Sequence, residues 1–215
     1  MEKHLKVLCI NGSAKKDGNT SDLINIVSKE LRKENITTEI IHVGNGSIRG
    51  CTSCLKCWEN QNQHCVIKSD PLNSILDKML TAEGIILASP VYCADVSSHM
   101  KAFMERSSLV SFANNDMLQR KVGAGIIAVR RAGGMTAFAA LNNYFLIAQM
   151  VVVGSSYWNI GFGNETGEVL QDDEGIQTMI NLAKNMSWLL KCLDIAKGKV
   201  KEPETKTDTF TNFIK

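Results

Sequence analysis

Nowhere does this 215-residue chain carry the run of about 18 to 20 apolar residues that crosses a bilayer. Behind Met1 there is no apolar h-region leading to a small-residue cleavage site, so a cytoplasmic location is expected. Neither sign of charge dominates. With 24 Lys and Arg against 22 Asp and Glu, the formal net charge is +2, which points to no nucleic-acid and no membrane partner. The four histidines (His4, His42, His64, His99) are too scattered for a metal-ligand set, and no Ser–His–Asp arrangement is suggested. No side chain therefore stands out as a catalytic acid, base or nucleophile. Internal repeats and low-complexity segments are absent as well.

Cysteine is present in a pattern. There are seven, and four crowd between Cys51 and Cys65. In a reducing compartment such a cluster reads as a metal site before a disulfide framework. The remaining composition, 44% hydrophobic and 21% charged, is that of an ordinary globular domain.

Residues 5–10 (LKVLCI) form a short apolar run that suits a parallel strand buried on both faces. A polar, glycine-containing segment follows, then a helical stripe of Leu23, Ile24, Val27 and Leu31 over 20–33. Further strands are expected at 37–43, 84–89, 122–129 and 151–154. Helices are expected at 71–82, with Pro71 at the start, and at 96–109, 136–148 and 173–193. Residues 44–70 read as an irregular, cysteine-rich loop. The tail, 198–215, reads as mobile or as a docking arm on a domain spanning 1–197. Strands alternating with helices imply an open α/β sheet. Five strands in this length fit a flavodoxin-like three-layer sandwich with a five-stranded parallel sheet better than a longer dinucleotide fold.

The segment 11–21 (NGSAKKDGNTS) lies between the first strand and the first helix. Ligands of open α/β sheets bind at the carboxyl ends of strands. There a helix N-terminus offers free backbone N–H groups and a positive dipole end to a phosphate. Ser13, Asn19, Thr20 and Ser21 could add donors, Lys15 or Lys16 charge, and Gly12 and Gly18 room for close approach. The spacing is neither a P-loop nor GxGxxG. On spacing alone, an ordinary connection in which Asn19, Thr20 or Ser21 only caps the helix explains it equally well.

The string G-S-x-x-x-x-G-N-T resembles the FMN phosphate loop of NADPH-dependent FMN reductases and iron–sulfur flavoproteins. The resemblance continues through 89–92 (SPVY) and 100–106 (MKAFMER) and covers residues 5–195. It implies that Pro90, Val91, Tyr92, Cys93 and Ala94 wrap the flavin ring, with backbone groups bonding its pyrimidine edge. It also places the Gly133–Gly134 pair near the flavin. Arg130 or Arg131 could receive an anionic partner or the phosphate of NADPH. Tyr157 and Trp158 could lie near the ring or at a subunit boundary, with core packing the expected role of Trp158.

Cys51, Cys54 and Cys57 are spaced as C-x2-C-x2-C, and Cys65 follows. Soft thiolates select Fe–S or zinc, and two CxxC steps sharing one cysteine resemble ferredoxin spacing more than paired zinc knuckles. The pattern is similar to the compact motif of iron–sulfur flavoproteins, which implies a [4Fe–4S] cluster on these four residues. Cys9 and Cys192 look unremarkable. Cys93 is expected to be a small packing residue, although a thiol beside a flavin could be redox-active.

FMN together with such a cluster would convert between two-electron and one-electron donors. The expected function is an oxidoreductase taking electrons from NAD(P)H or reduced ferredoxin. The alternatives are a cluster-free FMN or quinone reductase, a non-catalytic electron carrier, and a zinc-stabilised binding module. The resemblance further implies a homodimer or homotetramer, with the cysteine loop approaching a neighbouring subunit's flavin.

Overall fold

The computed structural model describes residues 5–46 and 48–213. Residues 1–4 of the expected domain, Ser47 of the cysteine-rich loop and residues 214–215 of the tail lie outside the described residues. Parallel strands run in the order β2 (Thr37–His42), β1 (Lys6–Asn11), β3 (Gly84–Tyr92), β5 (Val122–Val129) and β6 (Val151–Val152). This is the flavodoxin-like order. The short β4 (Asp95–Val96) turns back antiparallel on β3, and β7 (Ile160–Phe162) continues the outer edge along β5.

Alternation along the buried strands builds two cores. Val7 and Cys9 of β1, Ile86 and Ala88 of β3, and Val122 and Ala124 of β5 face α1 (Asn19–Lys33) and α6 (Asp173–Ala196). Leu8 and Ile10, with Ile85 and Leu87, face α3 (Leu72–Thr81), α4 (Ser98–Ala113) and α5 (Gly134–Ile147). Helix α1 buries the Leu23, Ile24, Val27 and Leu31 stripe that its periodicity predicts. It ends where Asn35 turns left-handed (φ 61°).

Register carries the strands to one functional edge. Asn11 of β1 pairs with His42 and Ala88, while β3 runs on to pair Pro90 with Ala128. The loops after β1, β3 and β5 therefore emerge side by side.

The fifth strand is broken, unlike the single stretch at 151–154 that the pattern predicts. Asn159 bridges the break. Its carbonyl accepts from Ile127 N at 2.9 Å, and its Nδ2 donates to the Gly125 carbonyl at 3.0 Å. Its Oδ1 accepts from Ser155 at 2.6 Å. One buried side chain thus replaces the ladder bond lost where β6 stops. The residues before it do not enter the core. Trp158 is 47% exposed and meets Tyr157 edge-on at 4.5 Å, which corrects the packing role expected of Trp158. The loop has left the sheet there, so no opposing layer covers the ring.

The segment before α3 is also less irregular than its composition suggests. It contains a short helix, α2 (Lys56–Asn60), set between left-handed Leu55 and Gln61. The tail is held where Arg120 donates to Glu202 at 3.0 Å and Gln119 to Thr205 at 3.0 Å.

Replacing Asn159 by Ala should leave the Gly125 carbonyl unpaired, at about 1–3 kcal/mol. For a chain of this size that lowers Tm by about 2–12 °C, readable by calorimetry. An unchanged Tm would remove Asn159 as the bridge.

Candidate functional site

The first loop is closed by its own side chains. Asn11 is buried at the end of β1, and its Oδ1 accepts from Ser13 N at 2.9 Å while its Nδ2 donates to Ser21 Oγ at 2.9 Å. Ser21 in turn donates to the Lys16 carbonyl, and Ser13 Oγ accepts from Lys15 N at 3.2 Å. The β2 end presses on the loop from outside. His42 Nε2 lies 2.6 Å from the Ser13 carbonyl. A Cβ on Gly44 would fall 1.7 Å from that same oxygen, so only glycine allows this approach.

Helix α1 starts behind this loop at Gly18 with no side-chain cap. Among the described residues no side-chain oxygen caps its first-turn N–H groups, which is the electrostatic condition for holding an anion. Thr20 is buried, and Lys15 and Lys16 stand exposed in the loop. Asn19 is engaged elsewhere, its Oδ1 accepting from Gly167 N at 2.9 Å. That bond fixes the loop before α6 against the start of α1.

Strand β3 continues past Ser89 through Pro90, Val91 and Tyr92. It then reverses through Cys93 (φ 49°) and Ala94 (φ 67°) into β4. A two-residue hairpin with both central residues left-handed normally carries Asn-Gly. Cys-Ala in that geometry stores about 1–2 kcal/mol per residue, and such strain concentrates at ligand sites. Cys93 is exposed at this tip, which corrects its expected packing role, since the hairpin projects it beyond the sheet.

Ser97 joins the two loops. Its N–H donates to Ser89 Oγ at 2.9 Å, and its own Oγ donates to the Gly12 carbonyl at 2.6 Å. The same Oγ caps α4, accepting from Met100 N at 3.1 Å. The third loop closes from the other side. Gly133 is left-handed (φ 87°), and a Cβ there would lie 3.0 Å from Val91 and 3.3 Å from Ala94. Helix α5 begins at this point, again without a side-chain cap. Arg130 and Arg131 just before it are exposed. A cleft of about 360 Å³ opens on the far flank of Gly133, between Arg131, Met135, Trp158 and Phe162.

The clustered cysteines lie together in a second place. Cys51, Cys54, Cys57 and Cys65 line one pocket roofed by Leu55, Val66, Ile67 and Leu109. Among the described residues, no three His, Cys, Asp or Glu side chains converge as ligands of a single ion do. The sulfurs are nevertheless supplied with donors. Ser53 N donates to Cys51 Sγ at 3.3 Å, and Arg106 Nη2 to Cys65 Sγ at 3.2 Å. The Lys56 backbone N–H beside Cys54 holds that thiol below the ordinary range, whereas burial pushes the Cys57 thiol up. Four cysteines around one apolar-roofed pocket, with N–H groups on their sulfurs, suit the donor set of an iron–sulfur cluster.

Side chains from two helices button this segment down. Glu105 of α4 accepts from Cys51 N at 3.0 Å, and Asn114, just after α4, accepts from Gln63 N at 2.7 Å. Asn73 of α3 pairs with the Cys65 backbone at 2.8 and 2.9 Å.

A family model described as NADPH-dependent FMN reductase matches residues 5–165. The chain belongs to this family. Among its relatives, an iron–sulfur flavoprotein of Methanocaldococcus jannaschii is 35% identical, covering 88% of this chain and 99% of its own. Another, from Methanosarcina thermophila, is 29% identical over 91% of this chain and 100% of its own. A solved WrbA-like flavodoxin of Agrobacterium tumefaciens superposes with a TM-score of 0.60 at 11% identity, covering 88% of this chain and 99% of that one. It shows the shared fold. Membership in the FMN reductase family makes this chain a flavin-dependent oxidoreductase.

Within this family frame, the loops named from sequence lie at one sheet edge. Ser13, Lys15, Gly18, Asn19, Thr20 and Ser21 form the first, Pro90 to Ala94 the second, and Gly133 and Gly134 the third. Sequence reasoning missed the residues that hold them: His42, Gly44 and Ser97. It also missed Glu105, Arg106 and Asn73 behind the cysteines. A signal existed for two of these, since Glu105 and Arg106 close the 100–106 string.

Ser97→Ala should leave the Gly12 carbonyl and the Met100 amide unpaired. That costs about 1–3 kcal/mol, a fall of about 2–12 °C in Tm. FMN affinity, measured by fluorescence quenching, should fall with it. Unchanged FMN binding in a folded variant would show that Ser97 does not order the site.

Proposed function

We propose that the chain is an iron–sulfur flavoprotein oxidoreductase that moves electrons between NAD(P)H or reduced ferredoxin, FMN, a [4Fe–4S] cluster and an acceptor. The observation that carries this reading is the pocket of four cysteines with N–H donors on their sulfurs. The names of the relatives support it. FMN exchanges electrons in pairs or singly, and the cluster takes one at a time.

The residues divide the work. Ser13, Thr20, Ser21 and the uncapped start of α1 would take the FMN phosphate, with Lys15 supplying charge. Gly18 and Asn19 would shape that turn. Pro90, Val91, Tyr92, Cys93 and Ala94 would line the ring, with Gly133 and Gly134 permitting its close approach. Cys51, Cys54, Cys57 and Cys65 would hold the cluster. Arg130 or Arg131 would receive an anionic partner.

No helix among the described residues is long and apolar enough to cross a membrane. A cytoplasmic location, without nucleic-acid or membrane partners, belongs to this proposal. So does a homodimer or homotetramer, supported by exposed Leu146 and Ile147 on α5 and Trp188 on α6. Light scattering on the purified protein reads that state.

Anaerobic purification should yield one FMN and about four irons per chain, with a brown shoulder in the absorption spectrum that dithionite bleaches. Cys54→Ala should lose the iron and keep the FMN. A colourless protein carrying stoichiometric zinc would overturn the cluster. Oxidation of added NADPH separates the reductase from a ferredoxin-fed enzyme.

A further inference from the structure

Arg106 is buried to 1% exposure in the middle of α4, where a leucine or methionine would fill the space without desolvating a charge. Its planar fork is divided between three partners. Nη1 donates to Asp70 and to the Arg49 carbonyl at 3.2 Å, and Nη2 donates to Cys65 Sγ at 3.2 Å. Asp70 is itself only 3% exposed, and its Oδ1 accepts from Leu72 N at 3.2 Å, at the start of α3. Arg49 lies just before the first cysteine, and Cys65 is the last. One side chain therefore grips both ends of the cysteine segment and hangs them on α4.

The Nε–H of Arg106 is buried without a partner among the described residues. A fork placed for its own satisfaction would use that donor. This one gives it up and spends Nη2 on a sulfur. An apolar pair in place of Arg106 and Asp70 would avoid desolvating two charges but would leave the Arg49 carbonyl and Leu72 N without these partners, so what the guanidinium adds is hydrogen bonds to this segment.

We propose that Arg106 is a positioning residue for the cysteine centre: it fixes the Cys65 sulfur and supplies a hydrogen bond to it that sets the reduction potential of the cluster. This rests on the cluster reading above. A donor to a ligating sulfur offsets the charge of the ligand set, which favours the reduced cluster and raises its potential. The clamp also orders residues 49–70 before any metal arrives.

Arg106→Lys is the decisive variant, because it keeps a positive partner for Asp70 and lacks the fork that reaches Asp70 and Cys65 together. In chelator-treated, FMN-bound protein, hydrogen exchange should quicken about tenfold (about 1.4 kcal/mol) across 49–52 and 64–70. It should stay unchanged in β1 and β3. In the anaerobically loaded protein, the cluster midpoint should move negative by about tenfold in its equilibrium, or about 59 mV for one electron. Arg106→Gln, shorter and uncharged, should move the potential at least as far. A potential unchanged in folded, iron-replete Arg106→Lys overturns the tuning, and unchanged exchange overturns the clamp. Wild-type protein that takes up no iron overturns the cluster reading and the tuning with it, while exchange still decides the clamp.

Discussion

The Ser97 hydroxyl donates to the Gly12 carbonyl at 2.6 Å and accepts from Met100 N at 3.1 Å, and its own amide donates to Ser89 at 2.9 Å. The loop after β1, the hairpin after β3 and the start of α4 therefore share one buried residue. Backbone groups at strand ends have no ladder partner, so each loop must satisfy its polar atoms locally or through a neighbour. Here they are satisfied through one another. The start of α1 lies in this network with Gly18 at its N-cap, so its N–H groups have no side-chain cap while the loop around them is tied down. A pre-ordered, unspent set of donors is what an anion site requires.

Strain falls in the same place. Cys93 and Ala94 are both left-handed at the tip of the hairpin, and Gly133 packs directly against Val91 and Ala94. Relaxing the hairpin would move Ala94 into the Gly133 loop. The sheet edge is thus held by contacts between loops that are far apart in the chain, and the cost of the strained residues is carried by the two cores beneath.

The cysteine segment follows another rule. It has few buried apolar side chains of its own and owes its shape to polar side chains of α3 and α4: Asn73, Glu105, Arg106 and Asn114. This arrangement ties the string at 100–106 to the cysteines in space. The helix that covers one core presents Glu105 and Arg106 to the segment while Met100, Phe103 and Met104 turn inward.

Much of this was legible in order along the chain. The apolar run of β1, the stripe of α1 and the strand at 122–129 announce themselves, because burial on one or two faces leaves a period in the sequence. The loops that carry ligands were legible too, as polar, glycine-bearing gaps at strand ends. The break between β6 and β7 was not, since a two- or three-residue strand leaves no period and Asn159 gains meaning only beside Gly125. Trp158 misled for a related reason: its size suggests a core, but only the path of the loop decides whether anything covers it. The sequence by itself determined the class of fold, the family and the number and spacing of the thiols. Tertiary structure alone decided which residues hold those thiols and loops in place. Hydrogen bonds such as Arg106 to Cys65 or Ser97 to Gly12 join positions separated by 41 and 85 residues, and no local pattern records them.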